Sequence, residues 1–184
     1  MVADVSFRNL MSTVKLEPHV DDEGTVVEGL EEYCNRIERV LPNIPRNVIG
    51  QWFYEHQDSY LRYEWLDYSS LRVNLKEFTV PELTLDCFRK EPYVDLFLEN
   101  LYSGRADERT IKIEAYVRKN LTWPVPPIVL FNKAGKIKFP DSVLCNKPYH
   151  ILEGRHRFAV LLFLNSYMKI ATSHKAWVIE SNQS

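Results

Sequence analysis

An α+β fold is what this sequence predicts, and three observations predict it. Residues 71–78, 128–131 and 177–179 are short alternating or continuous apolar runs, the signature of half-buried or buried strands. Segments with helical spacing lie between them, at 93–102, 107–120 and 155–168. Residues 1–68 read instead as an arm and a helical extension, so the chain divides into that extension and a 69–184 domain.

The elements follow in order. Residues 1–28 combine Pro18, the acidic run Asp21-Asp22-Glu23 and Gly24, the composition of a loose arm. Leu30, Tyr33, Ile37 and Leu41 share one helical face, with charges opposite, and Pro42 ends that helix. Pro45 suits the first position of a second helix, in which Val48, Ile49, Trp52 and Phe53 lead to about His56. The aromatic stretch 60–68, with Trp65 in it, reads as a hydrophobic seam joining the helical part to the rest rather than as a base-stacking platform. Leu71, Val73 and Leu75 alternate with polar residues as a strand, and Val80-Pro81-Glu82-Leu83 turns the chain. Residues 93–102 form a helix ending near Gly104. Residues 107–120 form another, with Ile111, Ala115 and Val117 facing inward. Trp123-Pro124-Val125-Pro126-Pro127 is a stiff, extended entry to the buried strand at 128–131. A turn at 132–135, a short pairing strand at 137–139 and an extended run at 145–152 deliver the chain to Gly154. The helix beginning at Arg155 is apolar almost all round and is expected to be buried; residues 177–179 close the fold as a strand.

Bulk properties narrow the function classes. The chain has 184 residues, 45% hydrophobic and 26% charged, with a net charge of −2. A dedicated duplex-DNA coat is usually basic, so any nucleic-acid contact must come from a local patch. Cys34, Cys87 and Cys145 form neither a CxxC pair nor a zinc spacing, and their odd number suits a reducing compartment. No apolar run reaches the roughly 20 residues of a membrane span, and the N-terminus lacks the layout of a signal peptide. The expected location is therefore the cytoplasm.

The chemistry concentrates at Tyr149-His150-Ile151-Leu152-Glu153-Gly154-Arg155-His156-Arg157. An extended apolar run enters a glycine, and an apolar helix follows. Glycine at a strand-to-helix turn lets backbone approach a ligand, and the first helical turn offers unpaired N–H groups at the positive end of a dipole. With Arg155 and Arg157 able to hold phosphate oxygens in pairs, the turn reads as an anion site for a nucleotide or nucleic-acid phosphate. Arg157 otherwise reads as paired with a nearby carboxylate, Arg155 as a solvated arginine, and His156 as an ordinary packing histidine instead of a proton shuttle or phosphate ligand.

Two of these stretches, Val125-Pro126-Pro127-Ile128-Val129-Leu130 and Tyr149 to Ala159, resemble the ParB/sulfiredoxin superfamily in motif, order and spacing over roughly residues 71–180. The resemblance implies a small mixed sheet with packed helices, and a phosphate-binding core suited to ATP and Mg²⁺. It also implies ATPase and DNase activity. In size and in the helical N-terminal addition the chain is similar to plasmid fertility-inhibition proteins, which implies inhibition of conjugative or T-DNA transfer and partners in a type IV secretion or conjugation system. Arg155 stands where sulfiredoxins carry their reactive cysteine, so sulfinic-acid reduction by that route is not expected. ParB segregation proteins continue into DNA-reading and dimerisation domains after this core, and no such region is read here, so centromere binding is not expected.

On this reading Gly154, Arg155, Arg157 and Lys112 bind phosphate, Lys112 lying beside Thr110 on the helix before the proline pair. Glu153 and His156 are the catalytic candidates. A carboxylate beside phosphate calls for a cation, so Glu153 is also the magnesium candidate, with Asp141 or Glu114 as a second ligand if the fold brings one close; a cap or a salt bridge to Arg155 is the plainer role. Arg105, Arg109, Arg118 and Lys119 add positive charge nearby. Two other functions compete with the enzyme. One is a catalytically inactive interaction module that blocks a protein partner through exposed Trp52, Trp65 or Tyr54. The other is an inhibitor that turns its acidic arm on a basic surface.

Overall fold

The computed structural model describes residues 16–56 and 60–181, in two compact units that divide between Leu71 and Arg72. In the first unit, α1 (Leu30–Val40) buries Tyr33, Cys34 and Ile37, while Leu30, on the same face by spacing, is 43% exposed. Helix α2 (Arg46–Val48) takes Pro45 as its N-cap, not its first residue, and continues as a π-helical segment, Ile49–Tyr54, whose residues 49–53 are all buried. Trp52 is fully buried and packs edge-on to Tyr68, 5.6 Å between centroids; Phe53 packs on Tyr60 and Tyr68 at 5.2 and 5.1 Å. Tyr68 donates its hydroxyl to the Tyr60 carbonyl at 2.8 Å. Tyr60, Tyr63 and Tyr68 are thus part of the core of this unit itself. A partner-binding face centred on exposed Trp52 is excluded by the same packing.

Of the expected loose arm, residues 1–15 lie outside the described residues. The remainder is anchored. Val20 bridges Val26, Asp21 caps the intervening turn, and the Tyr33 hydroxyl donates to the Leu16 carbonyl at 2.6 Å. Glu28, 3% exposed, accepts Arg36 Nε and Nη2 at 2.8 Å each, and that guanidinium holds its carboxyl below the usual range.

The second unit is built on a four-stranded mixed sheet in the order β1-β4-β2-β3, formed by β1 (Arg72–Thr79), β2 (Ile128–Phe131), β3 (Tyr149–Glu153) and β4 (Ser173–Glu180). β1 runs antiparallel to β4, β2 antiparallel to β3, and β2 parallel to β4. Between β1 and β2 come α3 (Val80–Leu83), α4 (Asp86–Arg89), α5 (Pro92–Tyr102) and α6 (Glu108–Asn120). The parallel pair is connected through β3 and α7 (Arg155–Asn165). Helix α7 buries Phe158, Ala159, Val160, Leu161 and Leu164, as its apolar circumference requires, and α5 and α6 pack against it. Among the described residues no helix is long and apolar enough to cross a membrane.

Four expectations change. The turn at 80–83 is a helical turn with a capping box: Glu82 accepts from the Thr79 amide at 2.8 Å. On β1 the core-facing side is the even one. Leu75 is 44% exposed, while Phe78 is fully buried and Lys76 Nζ reaches the Tyr149 hydroxyl at 2.9 Å. The register explains it, since Phe78 pairs with His174 and Lys76 with Ala176, both on β4's buried side. On α6, Thr110 and Val117 are buried and Ile113 packs on the core, whereas Ile111 is 53% exposed and Ala115 is exposed. Residues 137–139 contribute one isolated bridge, Lys138 to Leu144, in place of a strand.

Candidate functional site

Strand β3 ends at Glu153 and α7 begins at Arg155, so one residue, Gly154, makes the turn. It does so at φ +107°, in the left-handed region that favours glycine. Space requires glycine as well. A Cβ at residue 154 would lie 2.5 Å from Pro127 Cβ and 3.1 Å from Pro127 Cα. The proline pair and the glycine, which the sequence offers as separate motifs, are therefore one interlocked feature. Pro127 is held in turn by β4, whose Trp177 amide donates to its carbonyl at 2.8 Å.

Each side chain of the first helical turn is tied to a different segment. Arg155 donates from Nε to Glu91 Oε1 at 2.9 Å and from Nη2 to the Ile151 carbonyl at 3.2 Å, and its guanidinium lies 5.5 Å from the centre of the Tyr93 ring. Glu91 is 4% exposed and its other oxygen caps α5 through the Val94 amide at 2.9 Å. Arg157, 3% exposed, donates from Nη1 to the Val125 carbonyl at 3.0 Å and from Nη2 to Glu153 Oε2. Glu153 is 5% exposed, and its second oxygen lies 3.9 Å from Arg109 Nη2. A buried pair of this kind neutralises both charges within the fold.

His156 differs from its neighbours. Its Nδ1 is 2.7 Å from Thr110 Oγ1 and 3.8 Å from Asp107 Oδ2, and its ring stacks on Phe97 with centroids 3.7 Å apart. Asp107 is the N-cap of α6, accepting the Thr110 amide at 2.7 Å, a bond that holds its carboxyl below the usual range. Burial lowers the His156 pKa below the ordinary value; Asp107 opposes that shift and Arg109 adds to it. The imidazole is thus neutral at pH 7. With Nδ1 engaged by Thr110, Nε2 is the nitrogen available to exchange a proton with a ligand.

The structure brings Glu153, Gly154, Arg155, His156 and Arg157 together with the N-terminus of α6. Lys112 is placed elsewhere. It pairs with Glu108 at 2.7 Å on the exposed face of α6, two residues beyond Thr110 and so on another side of the helix. The side chains of α6 that meet the turn are Thr110 and Arg109. Glu114 pairs with Arg118, and Asp141 accepts the Val143 amide; among the described residues no group of three or more His, Cys, Asp or Glu gathers. A magnesium ion does not fit at Glu153, because its carboxylate already lies between the Arg157 and Arg109 guanidiniums. Sequence reasoning missed Glu91, Asp107 and Phe97. Of these, Asp107 alone carried a local signal, an N-cap residue three before a threonine.

No family model matches the chain, and neither a search of curated proteins nor a search of solved structures finds a match.

Proposed function

We propose that the 72–184 unit binds the phosphate of a nucleotide or nucleic acid at the first turn of α7 and hydrolyses it with His156 as the proton-transferring group. The observation that carries this reading is the 2.7 Å bond between His156 Nδ1 and Thr110 Oγ1. It orients the imidazole, its side chain 21% exposed, at the head of a helix where backbone N–H groups and dipole favour an anion. In the hydrolysis, a water oxygen bonds to phosphorus, its proton passes to Nε2, and the bond to the leaving oxygen breaks. The first-turn N–H groups and Arg109, half-exposed beside Glu153, stabilise the developing charge. Arg155 and Arg157 hold the turn in place on this account, and Glu153 orients Arg157. The resemblance to the ParB/sulfiredoxin superfamily supports ATP as the nucleotide, DNA as the cleaved substrate and inhibition of conjugative or T-DNA transfer as the role.

The inactive interaction module is the second reading, favoured by one observation: both arginines of the turn are matched by buried carboxylates, Glu91 and Glu153. Calorimetry with ATP and single-turnover hydrolysis of ATP and labelled DNA separate the two. Under the first reading the protein binds ATP, and His156→Asn retains binding while turnover drops by about 10²-fold or more. Binding without hydrolysis, with or without added magnesium, points to the interaction module. Absence of both binding and hydrolysis overturns the phosphate site itself.

A further inference from the structure

At the opposite end of α7 from the Gly154 turn, a groove of about 460 Å³ opens between α4, α5 and the last turn of α7. Its lining combines Arg89, Asp95, Leu98, Glu99, Tyr102 and Leu162. Asp95 and Glu99 are one helical turn apart on α5 and share a face. Among the described residues, Arg89, Asp95 and Glu99 make no ion pair with one another or with any other side chain. Elsewhere in the unit Lys90, Arg118, Arg155 and Arg157 are paired with carboxylates. Apolar surface comes from Leu98 and Leu162, both half-buried, and from Tyr102, 57% exposed and packed on Phe163 and Tyr167 at 5.1 and 6.1 Å. Both α5 and α7 end at the groove, which brings the negative ends of two helix dipoles to it.

We infer that this groove binds a short dipolar peptide segment. Its basic side chain pairs with Asp95 and Glu99 against the face of Tyr102, its carboxylate pairs with Arg89, and its apolar stem lies on Leu98 and Leu162. The reasoning is charge complementarity. A groove holding one guanidinium and two carboxylates, none of them matched within the fold, is matched by a ligand carrying both signs with the cation in the carboxylate pair. The Tyr102 ring favours that cation further. A purely anionic ligand would meet two carboxylates, and a purely apolar one would strand three charges.

Nuclear magnetic resonance titration of the full chain tests this. The probes are Arg-Leu, Arg-Ala-Leu and Arg-Ala-Ala-Leu with free C-terminal carboxylates, their C-terminal amides, and the same peptides with norleucine in place of arginine. The expected result is saturable shifts of amides at 89, 95–102 and 162–166 for at least one free peptide. Amidation, norleucine, Arg89→Gln, and Asp95→Asn with Glu99→Gln are each expected to weaken binding about fivefold or more. These side chains are exposed, so the variants are expected to fold, as an unchanged spectrum elsewhere would verify. Shifts absent for all free peptides at about 10 mM, or equal affinity for amidated peptides and charge-neutral variants, would overturn the inference.

Discussion

Two residues decide whether the Gly154 turn exists. The first is Gly154 itself, where a methyl group meets both a left-handed backbone and Pro127. Gly154→Ala is expected to cost about 2–4 kcal/mol, from backbone strain and overpacking together, read as a lower urea midpoint with an unchanged slope. The second is Arg157. Its removal leaves Glu153 buried without its closest cation, Arg109 lying 3.9 Å away. Arg157→Ala is expected to destabilise by about 3–5 kcal/mol, whereas joint replacement by Arg157→Met and Glu153→Leu is expected to recover most of the loss. If the double variant were as unstable as the single one, Arg157 would act through its bond to the Val125 carbonyl and not through the ion pair. The turn was legible in the sequence because its signals are contiguous: an apolar run, a glycine, then an apolar helix. The fate of its charges was not. Glu91 lies 64 positions from Arg155, and Thr110 lies 46 from His156, so only the folded chain shows which arginine is matched and which histidine is held.

Elements obey the same contrast between near and far information. Helices α1, α5, α6 and α7 and strands β1 to β4 announce themselves through composition and period, but which side of an element faces inward is set by its neighbours. β1 shows this most plainly. Its apolar alternation includes exposed Leu75, because the register with β4 places Phe78 on the core side, with Lys76 Nζ 4.6 Å from the Phe78 ring centroid. On α6 the inward side is set by packing: Thr110 meets His156 of α7, and Val117 is fully buried. Ile111→Lys is accordingly expected to change stability by no more than about 0.5 kcal/mol, and Val117→Asp to cost more than about 3 kcal/mol. Thermal melts of the two variants check the assignment, and a reversed order would restore the face that spacing alone suggests.

At the scale of the molecule, two imidazoles, half-buried His156 and buried His174, are expected to make the second unit sensitive to acid. His156 stacks on Phe97 of α5 and meets Thr110, Asp107 and Arg109 of α6. His174 lies on β4 beside the Trp123 ring, with Nδ1 2.8 Å from Thr122 Oγ1. Burial lowers both pKa values below the ordinary histidine value of 6.5, against a raising contribution from Asp107 at His156 and from the Ala171 backbone at His174. The sign follows from linkage. Each group binds its proton more readily when the chain is unfolded, so unfolding takes up protons and stability rises with pH across the window. The contribution of each imidazole is full above pH 6.5, where both states are neutral, and is lost as pH falls through that value toward the lowered folded pKa. Carboxylates such as Glu28, Glu82 and Asp107 have folded values below normal, so their contribution is lost only at more acidic pH, and the two effects separate on the pH axis. Urea unfolding from pH 7.5 to 5.5 is expected to show falling stability in wild type, a shallower fall in His156→Asn or His174→Asn, and the shallowest in the double variant. The same protonation bears on the proposed chemistry, because imidazolium cannot accept a proton from water; turnover is expected to decline on the acid side while ATP binding, helped by an added positive charge, does not. A double variant with the wild-type slope would place the acid sensitivity elsewhere in the chain, and activity and binding falling together would show that acid loosens the turn instead of silencing its base.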